Sequence, residues 1–106
     1  MKITSLKLIL SLFILGGSLV CKAQQKFGGL ALYTVRDDMA TNAKATLMEV
    51  SDAGYKNIEA AGYKDGKFYD MSPSDFKKLL KELGLNPIST HQGSVTMENA
   101  DAMIAD

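Results

Sequence analysis

Four side chains in this sequence combine reactive chemistry with a spacing that could bring them together: Tyr33, Arg36, Glu59 and His91. Each follows, or nearly ends, a short apolar run. Glu59 closes the run YKNIE, and His91, the only histidine, closes NPISTH. Tyr33 and Arg36 lie in LALYTVRD. A carboxylate and an imidazole can move protons, a guanidinium can hold an anion, and a phenol can donate to a ligand oxygen. One Glu and one His do not make a metal site, because a divalent ion needs three or four convergent ligands. No HxxE or HxH spacing adds to them.

Each residue also has a plainer reading. Glu59 could pair with a lysine from another strand and serve only stability. His91 could be a hydrogen-bonded residue at a strand end, Tyr33 a packing residue with its hydroxyl at the rim, and Arg36 a surface partner of Asp37 or Asp38.

The elements that position these groups follow from local patterning. Lys26 to Asp37 reads as a first strand, with Leu30, Leu32 and Thr34 alternating with Ala31, Tyr33 and Val35. Thr41 or Asn42 can cap a helix whose stripe is Ala43, Leu47 and Val50, ended by Gly54. Tyr55 to Ala60 is the second strand. Ser72-Pro73, with Asp75 as a short capping acid, opens a helix carrying Phe76, Leu79, Leu80 and Leu83 and ending at Gly84. Lys77, Lys78 and Lys81 form its solvated face.

Asn86 to His91 is the third strand, with Pro87 at its start. Thr96 can cap a last helix bearing Met97, Ala100 and Ile104. Strand parity sets Glu59 with Asn57 and Ala61, and His91 with Ser89 and Pro87. Ile58, Ala60, Ile88 and Thr90 are left to pack against helices. Glu59 and His91 then face the same side.

Alternating strands and helices predict an α/β fold with a parallel sheet. An open doubly wound sheet and part of a (β/α)₈ barrel both fit, and both bind ligands at the C-terminal ends of their strands. No GxGxxG follows the first strand, which lowers the dinucleotide-binding option. A (β/α)₈ barrel needs about 250 residues. The 106 residues here read as an N-terminal part, with three strands of eight, and such a piece leaves sheet edges open.

Residues 1–23 read as a secretory signal peptide: Lys2 and Lys7, the uncharged run Leu8 to Val20, then Cys21-Lys22-Ala23. The run of 13 residues is short for a membrane span, which takes about 17–25, so no stable membrane anchor is expected. Val20 before Cys21 makes a poor lipidation box. Residues 24–106 are then the mature domain, exported to the periplasm or secreted. Loss of Lys2, Lys7 and Lys22 from the twelve basic residues leaves nine against twelve acidic ones. Without a basic stripe, nucleic acid is not the expected partner.

At FGGLALYTVRDD, AGYKNIEAAGY, DGKFYDMSPSDFKKLLKELGL and ISTHQG, the chain resembles the sugar phosphate isomerase/epimerase family, whose members have a xylose-isomerase-like TIM barrel. Asp70 departs from the pattern, standing on a loop where glycine is common, with little consequence expected. The resemblance implies N-terminal βα units of that barrel and a small-molecule carbohydrate substrate. It further implies a divalent metal (Mn, Mg, Co or Zn) with paired carboxylates that move a proton between adjacent carbons. Those catalytic groups and metal ligands are expected beyond Asp106. Tyr33, Glu59, His91 and Arg36 carry over as substrate-binding positions. A lyase or hydrolase acting on keto-sugars, and a non-catalytic carbohydrate-binding barrel, are the alternatives. Oligomeric state is left open.

Overall fold

The computed structural model describes residues 28–106. The signal-peptide reading of residues 1–23, Cys21 included, lies outside these residues. No helix among the described residues is long and apolar enough to cross a membrane.

Three parallel strands form the main sheet in the order β1 (Leu30–Ala31), β2 (Asn57–Ala60), β5 (Asn86–Thr90). Helix α1 (Arg36–Asp52) connects the first two, and α2 (Pro73–Glu82) precedes the third. The α/β architecture with a parallel sheet is therefore present. The central strand β2 has the alternation of a sheet covered on one face: Ile58 and Ala60 are buried, whereas Asn57 and Glu59 are half-buried. On the covered side, Ile58 belongs to one core with Leu32, Leu47, Val50, Phe76 and Leu80. From the expected stripes of α1 and α2, Leu47, Val50, Phe76, Leu79 and Leu80 enter that core, with Ala43 and Leu83 packed against it, and Lys77, Lys78 and Lys81 are exposed.

Both helices end in the same hydrogen-bonded motif. Gly54 N–H donates to Ser51 O and Tyr55 N–H to Val50 O; Gly84 N–H donates to Lys81 O and Leu85 N–H to Leu80 O. These are Schellman closures, with Leu85 packed back on the last turn. Ser72 accepts the Asp75 N–H at 3.1 Å and donates its hydroxyl to the Asp75 carboxylate at 2.7 Å. Pro73 takes the first helical position.

The first strand is shorter than its apolar run suggested. It stops at Ala31, and Leu32–Val35 wind into a 3₁₀ turn that leads directly into α1. The turn carries Leu32 fully into the core and leaves Tyr33 outside. Asp37, expected to end the strand, sits with Asp38 in the first turn of the helix, where carboxylates suit its positive end. The expected cap at Asn42 survives within α1. Asn42 has non-helical backbone angles at a kink, and its Oδ1 accepts the Ala45 N–H at 3.1 Å. It caps the second segment of a helix that began six residues earlier. Thr41 instead donates its hydroxyl back to Asp37 O.

Between β2 and α2 lies a feature the periodicity missed: an antiparallel hairpin of β3 (Tyr63–Lys64) and β4 (Lys67–Phe68). Asp65 and Gly66, both with positive φ, make its two-residue turn. A second tight turn follows at once. Tyr69 and Asp70 also have positive φ, while Phe68 and Met71 exchange both backbone hydrogen bonds. Phe68 stacks on Phe76 of α2 at 5.1 Å and meets Tyr63 edge-on at 5.0 Å, which fastens the hairpin to the helix.

β5 departs from simple parity. Asn57 pairs with Asn86 and Ile58 with Pro87, but Glu59 pairs with Ser89, so Ile88 is an extra, unpaired residue. Pro87 has no N–H for the ladder, and the irregularity falls beside it. Pro87 consequently lies opposite Ile58 rather than on the side of Ser89 and His91. Ile88, expected to pack under a helix, is 62% exposed. The last helix, α3 (Ala100–Ala105), starts later than expected. The turn does open at Thr96, where Asn99 Oδ1 accepts the Thr96 N–H at 2.7 Å. That is half of a capping box, supplied by the other partner. Met97 and Ile104 are exposed, and Met103 is the half-buried residue instead.

Candidate functional site at the strand ends

Because parallel strands run in one direction, their C-terminal ends gather at one edge of the sheet, the usual ligand edge in α/β folds. Tyr33 follows β1, Glu59 lies on β2, and His91 directly follows β5. His91 is held by its backbone, its N–H donating to Ala60 O at 2.7 Å. Its ring stands 6.1 Å from that of Tyr33, tilted by 40°. The Arg36 guanidinium lies over the Tyr33 ring, 5.0 Å from the centroid. Tyr33, Arg36 and His91 therefore form one contiguous group.

Glu59 belongs to a neighbouring pair. Its Oε2 accepts the Ser89 hydroxyl at 2.9 Å, across the register that sets these residues side by side. Below, toward the strand starts, Asn86 Nδ2 donates to Asn57 Oδ1 at 3.3 Å, and Asn57 Nδ2 donates to Gly28 O at 3.1 Å. The side of the sheet away from the helices thus carries stacked polar pairs, amide over amide and then carboxylate with hydroxyl. Ser89 was legible only as a parity mate of His91. Its role as the partner of Glu59 depends on the bulge at Ile88, which periodicity does not reveal.

The plainer readings are partly met. Arg36 Nε approaches Asp37 Oδ1 at 3.9 Å, between exposed side chains, a contact worth little in water. No lysine pairs with Glu59 among the described residues. The His91 imidazole makes no hydrogen bond among them. No three His, Cys, Asp or Glu side chains converge among the described residues. Glu59 and His91 alone do not fit a divalent ion.

Beside this group, a cleft of about 560 Å³ opens between the start of α1 and the hairpin. Tyr33 and Arg36 form one wall; Lys64, Lys67 and Tyr69 form the other. Glu59 and His91 lie outside it. Tyr69 is the brace of this region. Its hydroxyl oxygen accepts the Ala61 N–H at 2.9 Å, tying the end of β2 to the second turn. Burial raises the Tyr69 phenol above its ordinary value, only partly opposed by that hydrogen bond. The ring lies so close to Gly62 that a Cβ there would come within 2.7 Å of it, and Gly62 itself has φ of 78°. Glycine is required at this position on both counts.

The strain of the second turn also bears on Asp70. At φ 65° it holds a conformation that glycine adopts freely and other residues rarely do. The departure from the family pattern at this position therefore carries a modest backbone cost, since aspartate tolerates the left-handed region better than most residues.

No family profile matches the chain, and no curated protein matches it. A solved structure does: the crystal structure of a sugar phosphate isomerase/epimerase from Parabacteroides distasonis, at 34% identity and a TM-score of 0.57. The match covers 69% of this chain and 26% of that one, so the chain spans about a quarter of the length of the structure it resembles.

Proposed function

We propose, from the chain's likeness to the sugar phosphate isomerase/epimerase family in both sequence and structure, that these residues form the first wall of a carbohydrate-converting site. The remaining strands would complete a TIM barrel and its reaction centre. The observation that carries this reading is the polar edge of the sheet. Glu59–Ser89 and the Tyr33–His91–Arg36 group occupy the C-terminal ends of three parallel strands, on a chain similar to part of such an enzyme.

A sugar presents hydroxyl groups and a weakly apolar ring face. The Tyr33 and His91 rings offer flat surface, and Glu59 offers an acceptor oriented by Ser89. In this reading the four residues bind and orient substrate. The divalent metal expected from the resemblance would polarise a carbonyl oxygen, with ligands from outside the described residues. Export to the periplasm or beyond, through residues 1–23, fits a free or oxidised sugar better than a phosphorylated metabolite. The absence of a basic stripe in the sequence fits a small carbohydrate better than nucleic acid.

The test is solvent exchange. The full-length protein, supplied with Mn²⁺ or Mg²⁺ in D₂O, is expected to place deuterium on the carbon next to the carbonyl of a ketose substrate. Isomerisation conserves mass, so a product lighter by a lost fragment, or heavier by water, would assign a lyase or a hydrolase instead. Binding without turnover or exchange across a ketose panel would leave a carbohydrate-binding barrel.

A further inference from the structure

The turn that follows the hairpin places a phenol where turn chemistry favours small residues. Phe68 to Met71 closes a two-residue turn, with Tyr69 at φ 50° and Asp70 at φ 65°. Asparagine and glycine suit such a turn, and a bulky aromatic residue there is strained. Tyr69 is nevertheless fixed on three sides. Its ring lies against Gly62 and meets Phe76 of α2 at 5.7 Å, and its hydroxyl oxygen accepts the Ala61 N–H at 2.9 Å. A phenol both accepts and donates, so that contact leaves its O–H uncommitted. No acceptor receives this proton among the described residues. Bracing Ala61 requires an acceptor only, whereas a half-buried donor without a partner is costly. Ala61, Gly62 and Tyr69 all line the cleft of about 560 Å³, a volume within the range of small-molecule pockets. The free donor therefore stands at the wall of a ligand-sized cleft.

We propose that Tyr69 is a specificity-determining residue whose O–H donates to a neutral hydroxyl oxygen of the carbohydrate. This rests on the carbohydrate reading above and names one group that the site recognises. Tyr33 connects the two places: its ring neighbours His91 at 6.1 Å on the strand-end side and also lines the cleft. A sugar resting against Tyr33 can thus extend one hydroxyl toward Tyr69. Lys64 and Lys67 on the same wall are exposed, and ordering such long side chains costs rotamer freedom. Tyr69 is already held by Gly62, Phe76 and Ala61, so its donor is oriented before a ligand arrives. Such a donor discriminates sharply, because a sugar lacking the matching hydroxyl leaves it unpaired.

The experiment is a cycle between protein and ligand. The full-length protein and its Tyr69→Phe form are titrated with fructose, tagatose, sorbose and psicose, and with the monodeoxy forms of whichever sugar binds. Deuterium exchange is followed in parallel. In the parent, one monodeoxy form is expected to bind about tenfold more weakly than the complete sugar. Tyr69→Phe should weaken the complete sugar by a similar factor, raising KM more than it lowers kcat. It should also bind that one deoxy form as well as the parent does, since the paired groups lose their interaction only once. A purely structural role lacks this signature: the lost Ala61 acceptor would lower the melting temperature and affect every sugar alike. Equal losses for the complete sugar and all its deoxy forms, or no loss for any, would overturn the inference. Tyr69-dependent binding without exchange would uphold it and remove the isomerase reading. Exchange that Tyr69→Phe leaves unchanged would overturn it and keep that reading. A parent that neither binds nor exchanges with any of the sugars would overturn both.

Discussion

Tyr69 and its neighbours show how much one residue contributes to shaping the site. Its phenol accepts the Ala61 N–H at the end of β2, and its ring fills the space that a side chain at Gly62 would need. Removing the hydroxyl by Tyr69→Phe should cost about 1 kcal/mol, because a buried N–H loses its acceptor. The pH dependence gives a sharper sign. Burial raises the folded pKa of Tyr69 above its value of 10.0 in the unfolded chain, so the native state holds this proton more tightly. That stabilisation is complete below the unfolded pKa and disappears as pH rises through the folded one. Alkaline unfolding followed by circular dichroism should therefore be shallower in Tyr69→Phe. Asp70→Gly should act in the opposite direction to most substitutions, raising stability by about 1 kcal/mol through relief of the left-handed backbone. A urea midpoint shifted downward would contradict this.

At the scale of elements, the caps were readable and the irregularities were not. Ser72-Pro73 and the glycines at 54 and 84 are single-residue signals with one structural meaning each, and the hydrogen bonds at those places follow it. Ser72→Ala should cost about 1 kcal/mol, measurable by urea unfolding, and restoring the cap with Ser72→Asp should recover most of it. The end of β1 was illegible for a physical reason. Leu30 to Val35 is mostly apolar, with Thr34 its one plainly polar side chain, and such a run has the same composition whether it continues as strand or turns into 3₁₀ helix. Acids at 37 and 38 lie in the first turn of α1, where they favour its early start. The hairpin escaped because its strands are two residues long, too short for an alternation to register, although Asp65-Gly66 is a turn signal in its own right. The bulge at Ile88 arises from pairing, which no single strand encodes. For the candidate site, the shared edge of Tyr33, Glu59 and His91 was legible from strand order, and the Glu59–Ser89 bond was not.

For the whole molecule, the distribution of exposed apolar side chains is the main fact. Ile88 is 62% exposed, Val95 63% and Met97 95%, all on or after β5. The other side of the sheet is organised: β2 is paired on both edges and its covered face is buried. Among the described residues, β5 has a strand partner on one edge only. A chain of residues 28–106 alone should bind a hydrophobic dye or self-associate, and a cooperative, monomeric unfolding transition would count against the proposal that further strands cover β5.

The central claim is that the strand-end group touches substrate, and Glu59 tests it most directly. Its carboxylate accepts from Ser89, contributes nothing to the apolar core, and pairs with no cation among the described residues. Glu59→Gln preserves shape and removes charge. In the full-length protein, the expected result is a loss of about tenfold or more in kcat/KM for deuterium exchange, with metal content and melting temperature unchanged. Exchange at the parent rate would contradict the account and leave Glu59 a structural residue.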